Sequence, residues 1–241
     1  MSTQSGANSA NGMSDSTDYK TLYEQLNAKH QFMLSQVSHE IRNPVTLVNS
    51  FLQLLEGRHP ELRHDNYWQK IMENMDFLKY LLNELSEFNN SEKLNLQTTN
   101  LYLVFREVID SVSPGLNETG ITIDLEKKTP VPVIQADGVK IRQLLLNLIR
   151  NARDAISSTG HIHCTIRSDV DNVILTISDT GGGIPNEYES DLFEPFITHK
   201  QEGTGLGLPI CKRIVQAHNG TITYHTVTGK GTTFEAVLPV C

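Results

Sequence analysis

Apolar positions in the first part of the chain repeat with a helical period. With residue 39 set at zero and about 100° added per residue, Leu34, Val37, Ile41, Val45, Val48, Leu52 and Leu55 fall between roughly 160° and 240°. His39 stands opposite this seam, and Asn43, Thr46, Ser50 and Gln53 fall within roughly 40° of it, on the solvent face. The pattern predicts one long helix over 19–56, a loop over 57–65 containing Gly57 and Pro60, and a second helix over 66–88. Tyr67, Trp68, Ile71, Met75, Leu78, Leu82 and Leu85 make the seam of the second helix. A single hairpin buries little of either seam, whereas two hairpins packed as a four-helix bundle bury both, which predicts a homodimer. Packing of the hairpin on a second domain of its own chain is the other arrangement.

From about residue 100 the period changes. Leu101–Val112, Val139–Ser157 and Leu206–His218 read as helices. Ile121–Leu125, Val131–Ile134, His161–Ser168, Val173–Ser178, Thr221–His225 and Thr232–Leu238 read as strands. Helices on one face of a mixed sheet, an α+β sandwich, is the expected fold of this half. The boundary falls near 90–98, in the polar stretch NNSEKLNLQ. The predicted organisation is a disordered tail over 1–18, rich in Ser, Thr, Asn and Gly, an all-α hairpin over 19–92, and the α+β domain over 98–241.

Composition narrows the classes. Of 241 residues 38% are hydrophobic, enough for a core, and the net charge of −8 argues against a broad nucleic-acid surface. Any polyphosphate bound by so acidic a chain needs local positive charge or a metal. Cys164, Cys211 and Cys241 form no CxxC pair, so they read as reduced thiols of a cytoplasmic protein. No apolar run approaches the roughly 18 residues that span a bilayer, and MSTQSGANSANGMSDSTD has no signal-peptide core. A sensor or membrane part would lie outside this chain.

Candidate chemistry sits in five places. A lone exposed histidine ordinarily carries no function, but His39 stands in SHEIRNP. The adjacent Glu40 can hydrogen-bond one imidazole nitrogen and leave the other as a nucleophile of raised basicity. Pro44 inside the helix removes a backbone bond and can kink it. In QLLLNLIRNARDAI, Asn147 and Asn151 are one turn apart and share a helix face. Their amide oxygens suit Mg²⁺, although a solvated pair would show the same spacing.

In DTGGGIP, Asp179 ends a strand, where a carboxylate can accept from an exocyclic adenine amine. Gly181 and Gly183 let the backbone approach the base; taken alone, the segment is also an ordinary glycine loop. GTGLGL, comprising Gly203, Thr204, Gly205, Leu206, Gly207 and Leu208, opens a helix and offers backbone amides to phosphates. It lacks the βαβ setting of a dinucleotide fold. FEPFITHK, with two aromatics and the basic Lys200, reads as a mobile lid.

SHEIRNP, NLIRNARDA, DTGGGIP, FEPFITHK and GTGLGL follow in the order and spacing of bacterial sensor histidine kinases, and the resemblance covers about residues 25–240. Their flavour is similar to that of the sporulation and nitrogen-regulatory kinases. The resemblance implies a dimeric four-helix bundle followed by a Bergerat ATP-binding sandwich, the fold shared with gyrase, ninety-kilodalton heat-shock chaperones and mismatch-repair ATPases. It implies His39 as phosphoacceptor, Glu40 as its acid/base partner and Asn43 as the residue that orients water in phosphatase-active members. Asn151 matches the Mg²⁺ ligand and Asn147 a nucleotide-site neighbour. Asp179 matches the adenine carboxylate, with Gly181, Gly183, Gly203, Gly205 and Gly207 shaping the ATP pocket and Thr204 and Leu206 within it. The implied partner is a response-regulator receiver.

Two positions depart from the family pattern. Asp154 stands where many relatives carry Lys, and Thr198 where many carry an Arg of the lid. Lys200 is the expected substitute charge, helped by Arg150 or Arg153. Two other classes share the ATP pocket: an ATPase that drives a conformational switch without phosphohistidine, and a docking module that merely holds ADP. SHEIRNP separates the first from a kinase; intact Asn151, Asp179 and GTGLGL argue against the second.

Overall fold

The computed structural model describes residues 11–200 and 203–240, with side chains described from 33 onward except at 35 and 39. The chain divides into two units between Asn89 and Asn90.

The first unit is a helical hairpin. Helix α1 spans Asn11–Arg58 and α2 spans Asn66–Asn90, joined through a 3-10 turn at Pro60–His64. The predicted tail over 1–18 is corrected at its C-terminal end: α1 already includes Asn11–Asp18, while 1–10 lie outside the described residues. That stretch holds no proline, and extending an existing helix fixes one residue per new bond. Asp65 starts α2 as its cap, accepting from Tyr67 N at 2.8 Å and Trp68 N at 2.9 Å.

The hairpin covers only part of its seams. Trp68, Met75 and Leu82 of α2 are buried, and Arg42 Nη2 reaches across to Leu82 O at 3.2 Å. Val37, Ile41, Val48 and Leu55 of α1 remain 44–47% exposed, as do Ile71 and Leu78 of α2 at 46% and 44%. The expected burial of the α1 seam is therefore not achieved within one hairpin, because two helices have too little surface to enclose both stripes. Asn43, Thr46, Ser50 and Gln53 are all exposed, as their angular position predicts.

The second unit is built on a five-stranded sheet. Its strands are β2 (Ile121–Lys127), β4 (Gly160–Ser168), β5 (Asn172–Asp179), β6 (Thr221–Val227) and β7 (Gly231–Pro239), in the order β2-β4-β5-β7-β6. β2 runs parallel to β4 and every other neighbour is antiparallel. The parallel pair needs a crossover, which α4 (Gly138–Ala155) provides. With α3 (Leu101–Glu118) and α5 (Gly207–Ala217), α4 covers one face of the sheet. Phe105, Leu144, Leu148, Ile210 and Ile214 meet Ile162, Ile166, Leu175 and Ile177 there, all fully buried.

Three details differ from the sequence expectation. The strand predicted at Val131–Ile134 forms later, as β3 (Ile134–Ala136), because Pro130 and Pro132 have no amide to donate to a ladder. β3 pairs with an unpredicted strand, β1 (Gln97–Thr99), inside the stretch read as a boundary. Helix α3 continues past Val112 and through Pro114 to Glu118. Its last turn is held by the buried Leu116, and it ends at Gly120, whose φ of +79° is a left-handed cap.

Candidate nucleotide site

Helix α4 organises the candidate site, and its start is fixed by Asp137. That buried carboxylate accepts from Val139 N at 3.0 Å, Lys140 N at 3.1 Å and, through its other oxygen, Asn95 N at 2.8 Å. Burial pushes its pKa up, but the amide bonds from Asn95, Lys140 and Val139 outweigh this and hold it below the usual carboxylate value. The Asp137 amide donates to His218 Nε2 at 3.0 Å, while His218 Nδ1 donates to Ile214 O at 2.8 Å. This locks the start of α4 to the end of α5.

Asn147 and Asn151 project from one side of α4. Asn147 is buried and spans the gap to α5: its Nδ2 donates to Gly207 O at 3.4 Å, and its Oδ1 accepts from Arg150 Nη2 at 2.5 Å. Asn151 Oδ1 accepts from Lys200 Nζ at 3.3 Å, and the same ammonium meets Asp154 Oδ2 at 3.0 Å. Burial raises the Asp154 pKa, yet hydrogen bonds from Arg153 and Lys200 and their charges bring it below the ordinary value. Lys200 thus reaches the Asn151 face of α4, whereas Arg150 and Arg153 bond Asn147 and Asp154 respectively.

Asp179 closes β5 and is buried. Its Oδ1 accepts from Gly181 N at 2.8 Å and Thr232 N at 3.3 Å, which leaves Oδ2 to another donor. Burial pushes the carboxyl above the ordinary range, and the two amides pull against it. The following glycines are required by contacts. A Cβ on Gly181 would sit 2.5 Å from Ala155 O, and one on Gly183, whose φ is +73°, would sit 2.5 Å from Val227 O. Gly182 N donates to Ala155 O at 3.0 Å, so the loop is seated on the last turn of α4.

The segment before α5 is held just as closely. Gly205 has φ of +68°, its carbonyl accepts from Phe196 N at 3.1 Å, and an added Cβ would lie 2.6 Å from Ile197 N. Gly203 N donates to Lys200 O at 3.2 Å. Thr204 makes a local bond, its hydroxyl accepting from Leu206 N at 3.1 Å. Leu206 is a core residue, 3% exposed, so its side chain is unavailable to a ligand. Helix α5 starts with no side chain capping its first amides. Before it, Phe193 is tied to the body by Tyr224, with centroids 6.1 Å apart, and by Lys212 Nζ at 5.5 Å, whereas Phe196 is 57% exposed.

Asn147 and Asn151 thus bond Gly207 and Lys200 to α4, Gly203 and Gly205 are held by Lys200 and Phe196, and the loop after Asp179 borders the same helix at Ala155 through Gly181 and Gly182. His39, Glu40 and Asn43 lie on α1 in the other unit. Glu40 is exposed and accepts from Gln36 Nε2 at 3.2 Å, one turn back. Sequence reasoning missed Asp137, Ala155, Gly231 and Thr232. Gly231, with φ of +118°, abuts Asp179 O so closely that a Cβ would overlap it. Its signal in the sequence is the Gly229-Lys230-Gly231 turn between the last two strands. Among the described residues, Cys164 and Cys211 are buried free thiols, and no helix is long and apolar enough to cross a membrane; Cys241 lies outside the described residues.

A helical hairpin followed by an α+β sandwich with glycine loops around α4 is the layout of a kinase with separate acceptor and nucleotide domains. The family model of the His Kinase A (phospho-acceptor) domain matches residues 29–93. That of the histidine kinase-, DNA gyrase B- and HSP90-like ATPase matches 136–241. Sporulation kinase C of Bacillus subtilis (strain 168) is 29% identical over 205 residues, 85% of this chain and 47% of that protein. The structure of full-length ShkA in complex with AMPPNP is similar with a TM-score of 0.75 at 28% identity, over 86% of this chain and 45% of that one. The catalytic domain of histidine kinase ThkA is 30% identical with a TM-score of 0.57, over 61% of this chain and 97% of that one. ThkA in complex with response regulator protein TrrA matches at 26% identity and a TM-score of 0.65, over 94% of this chain and 66% of that one. The chain belongs to the two-component sensor histidine kinases, with a phosphoacceptor region followed by an ATP-binding domain. It spans less than half the length of the curated relatives it matches.

Proposed function

We propose that this chain, as a homodimer, phosphorylates its own His39 with ATP and passes the phosphoryl group to an Asp of a response-regulator receiver. The observation that carries the reading is the meeting of three sequence segments, around Lys200, Gly207 and Gly181, on one side of α4, in a chain whose first helix holds SHEIRNP. In the reaction one imidazole nitrogen of His39 attacks the γ-phosphorus, an N–P bond forms, the bond to the β-phosphate oxygen breaks and ADP leaves. Glu40 takes the proton from the other nitrogen, after exchanging its bond to Gln36 for one to the imidazole.

Asp179 Oδ2 receives the adenine amine, and the uncapped amides of α5 and Lys200 receive phosphate oxygens. Asn151 offers one hard amide oxygen, the kind of ligand Mg²⁺ takes together with waters and substrate phosphates. Mg²⁺ there would neutralise phosphate charge. Dimerisation follows from the apolar stripe left open on the hairpin, which a second hairpin covers in a four-helix bundle. Asn43, exposed one turn from His39, positions water for dephosphorylating the partner. ShkA with AMPPNP and ThkA with TrrA support a nucleotide and a receiver as the two ligands.

Incubation with γ-labelled ATP followed by acid and base washes tests the reading. Label that survives base, is lost in acid, and is absent from His39→Ala is expected. ATP hydrolysis without base-stable label, or label retained in His39→Ala, overturns it. Asn43→Ala is expected to keep autophosphorylation and transfer while losing receiver dephosphorylation; an unchanged dephosphorylation rate removes that role.

A further inference from the structure

The face of the sheet turned away from the helices carries a second constellation. Ile162 is paired with Asp179 and points to the core, so strand alternation turns His161 and His163 to the opposite face. On the parallel neighbour β2, Asp124 is the register partner of His163. Ligand-capable atoms of Asp124, His161 and His163 all lie within 4.8 Å of one another. His161 Nε2 is 2.6 Å from Asp124 Oδ1, and His163 Nδ1 is 2.9 Å from Asp124 Oδ2. One carboxylate is thus bracketed by two imidazoles.

The outer nitrogens have partners of their own. Thr122 Oγ1 lies 2.8 Å from His161 Nδ1 and points its hydroxyl at Gly160 O, 3.4 Å away. In the tautomer that donates Nδ1–H to the Thr122 oxygen, His161 Nε2 is the nitrogen with a free lone pair. Asp124 Oδ1 lies beside Nε2, is shielded from solvent and accepts no hydrogen bond. On the other ring, Glu126 Oε2 lies 3.5 Å from His163 Nε2. Two inward nitrogens around a carboxylate, each ring backed by an oxygen at its outer nitrogen, is the arrangement in which neighbouring groups orient metal-bound imidazoles.

We propose that Asp124, His161 and His163 form a site for a divalent transition-metal ion of the zinc class, separate from the nucleotide site on the helix face. Two imidazoles and a carboxylate, with the outward position open to water, is a ligand set for Zn²⁺. The imidazoles select against Mg²⁺, which takes oxygen ligands. A metal ion takes each imidazole through an unprotonated nitrogen, so Zn²⁺ uptake there is in competition with protons.

The test is Zn²⁺ titration of the metal-stripped full chain against a chromophoric chelator, with Mg²⁺ in excess. The wild-type chain is expected to take up one more equivalent of Zn²⁺ than His161→Ala/His163→Ala, and Co²⁺ to give a visible d–d spectrum that the double variant lacks. Asp124→Asn, nearly isosteric, is expected to lose the same equivalent, which keeps the test decisive if the double variant fails to fold by circular dichroism. Thr122→Val is expected to keep the stoichiometry but weaken binding about tenfold, the cost of removing an orienting partner. Equal Zn²⁺ uptake by wild type and Asp124→Asn, or displacement of the extra equivalent by Mg²⁺, overturns the proposal.

Discussion

Gly181 and Gly182 are adjacent in sequence and opposite in environment, which makes them a matched pair. A Cβ at Gly181 meets Ala155 O at 2.5 Å and Ala155 C and Cβ at 2.7 Å, all fixed at the end of α4. At Gly182 nothing lies within 4 Å, and its backbone is outside the left-handed region. Gly181→Ala must therefore lift the loop off α4. Overpacking of this kind costs about 1–3 kcal/mol, and the 2.8 Å bond from Gly181 N to the Asp179 carboxylate is stretched as well. Together the loss comes to about 2–4 kcal/mol, because a hydrogen bond to a charged acceptor contributes about 1.5–3 kcal/mol when fully broken. For a domain of this size each kcal/mol moves the melting temperature by about 2–4 °C, so the drop is about 5–15 °C. Displacing one of the two amides that orient Asp179 also weakens ATP binding at least about tenfold, the equivalent of about 1.4 kcal/mol. Gly182→Ala retains its amide bond to Ala155 and its carbonyl bond from Gly229. It leaves binding unchanged and melting unchanged or slightly higher, since alanine restricts the unfolded chain. Thermal melts and fluorescent ATP-analogue titrations of both variants decide the matter. Indistinguishable melting and affinity for the two would refute the seating of the glycine loop on α4.

Asp179→Asn is expected to weaken ATP and adenosine alike by about 1–3 kcal/mol, whereas Asn151→Asp impairs Mg²⁺-dependent phosphoryl transfer and leaves adenosine binding near wild type. Equal losses for both ligands in both variants would undo that division of roles. Asp137→Ala removes the cap of α4 and costs about 1–2 kcal/mol at neutral pH by denaturant titration. Because the folded carboxyl titrates below its ordinary value of 3.8, its contribution is present above that pH and fades as pH falls through the folded value. The wild type and Asp137→Ala should converge in acid; a constant gap down to pH ~2 contradicts the linkage. Burial, with the nearby Asp124 carboxylate second, pushes the Cys164 thiol up to about 12. A thiol reagent at pH ~8 should leave it unlabelled until the chain unfolds, because the thiolate is the nucleophile; lower native labelling in Cys164→Ser would show otherwise.

The hairpin, the exposed face beside His39 and the positions of the glycine segments were legible in the sequence because each is a local property. Helical seams follow from a period of 3.6 residues. A glycine run after a strand or before a helix is a contiguous signal. The match of five motifs to a known family extended that reading to His39, Asn151 and Asp179 as chemical candidates. Pro130 and Pro132 displaced the predicted strand for a reason also present locally, the missing amide donors.

Tertiary structure decided what depends on distant partners. Asp179 is oriented by Thr232 and Asn151 is met by Lys200, bonds closed across 53 and 49 residues. Leu206 lies among pocket glycines in sequence but packs into the core, because the helix start turns it inward. Asp124 joins His161 and His163 only through the parallel register of β2 on β4, which a crossover helix sets and no residue spacing encodes. The open half of the hairpin's apolar stripe belongs to this class too. Periodicity specifies that a face is apolar, but how much of it one chain can cover depends on how many helices the fold brings around it.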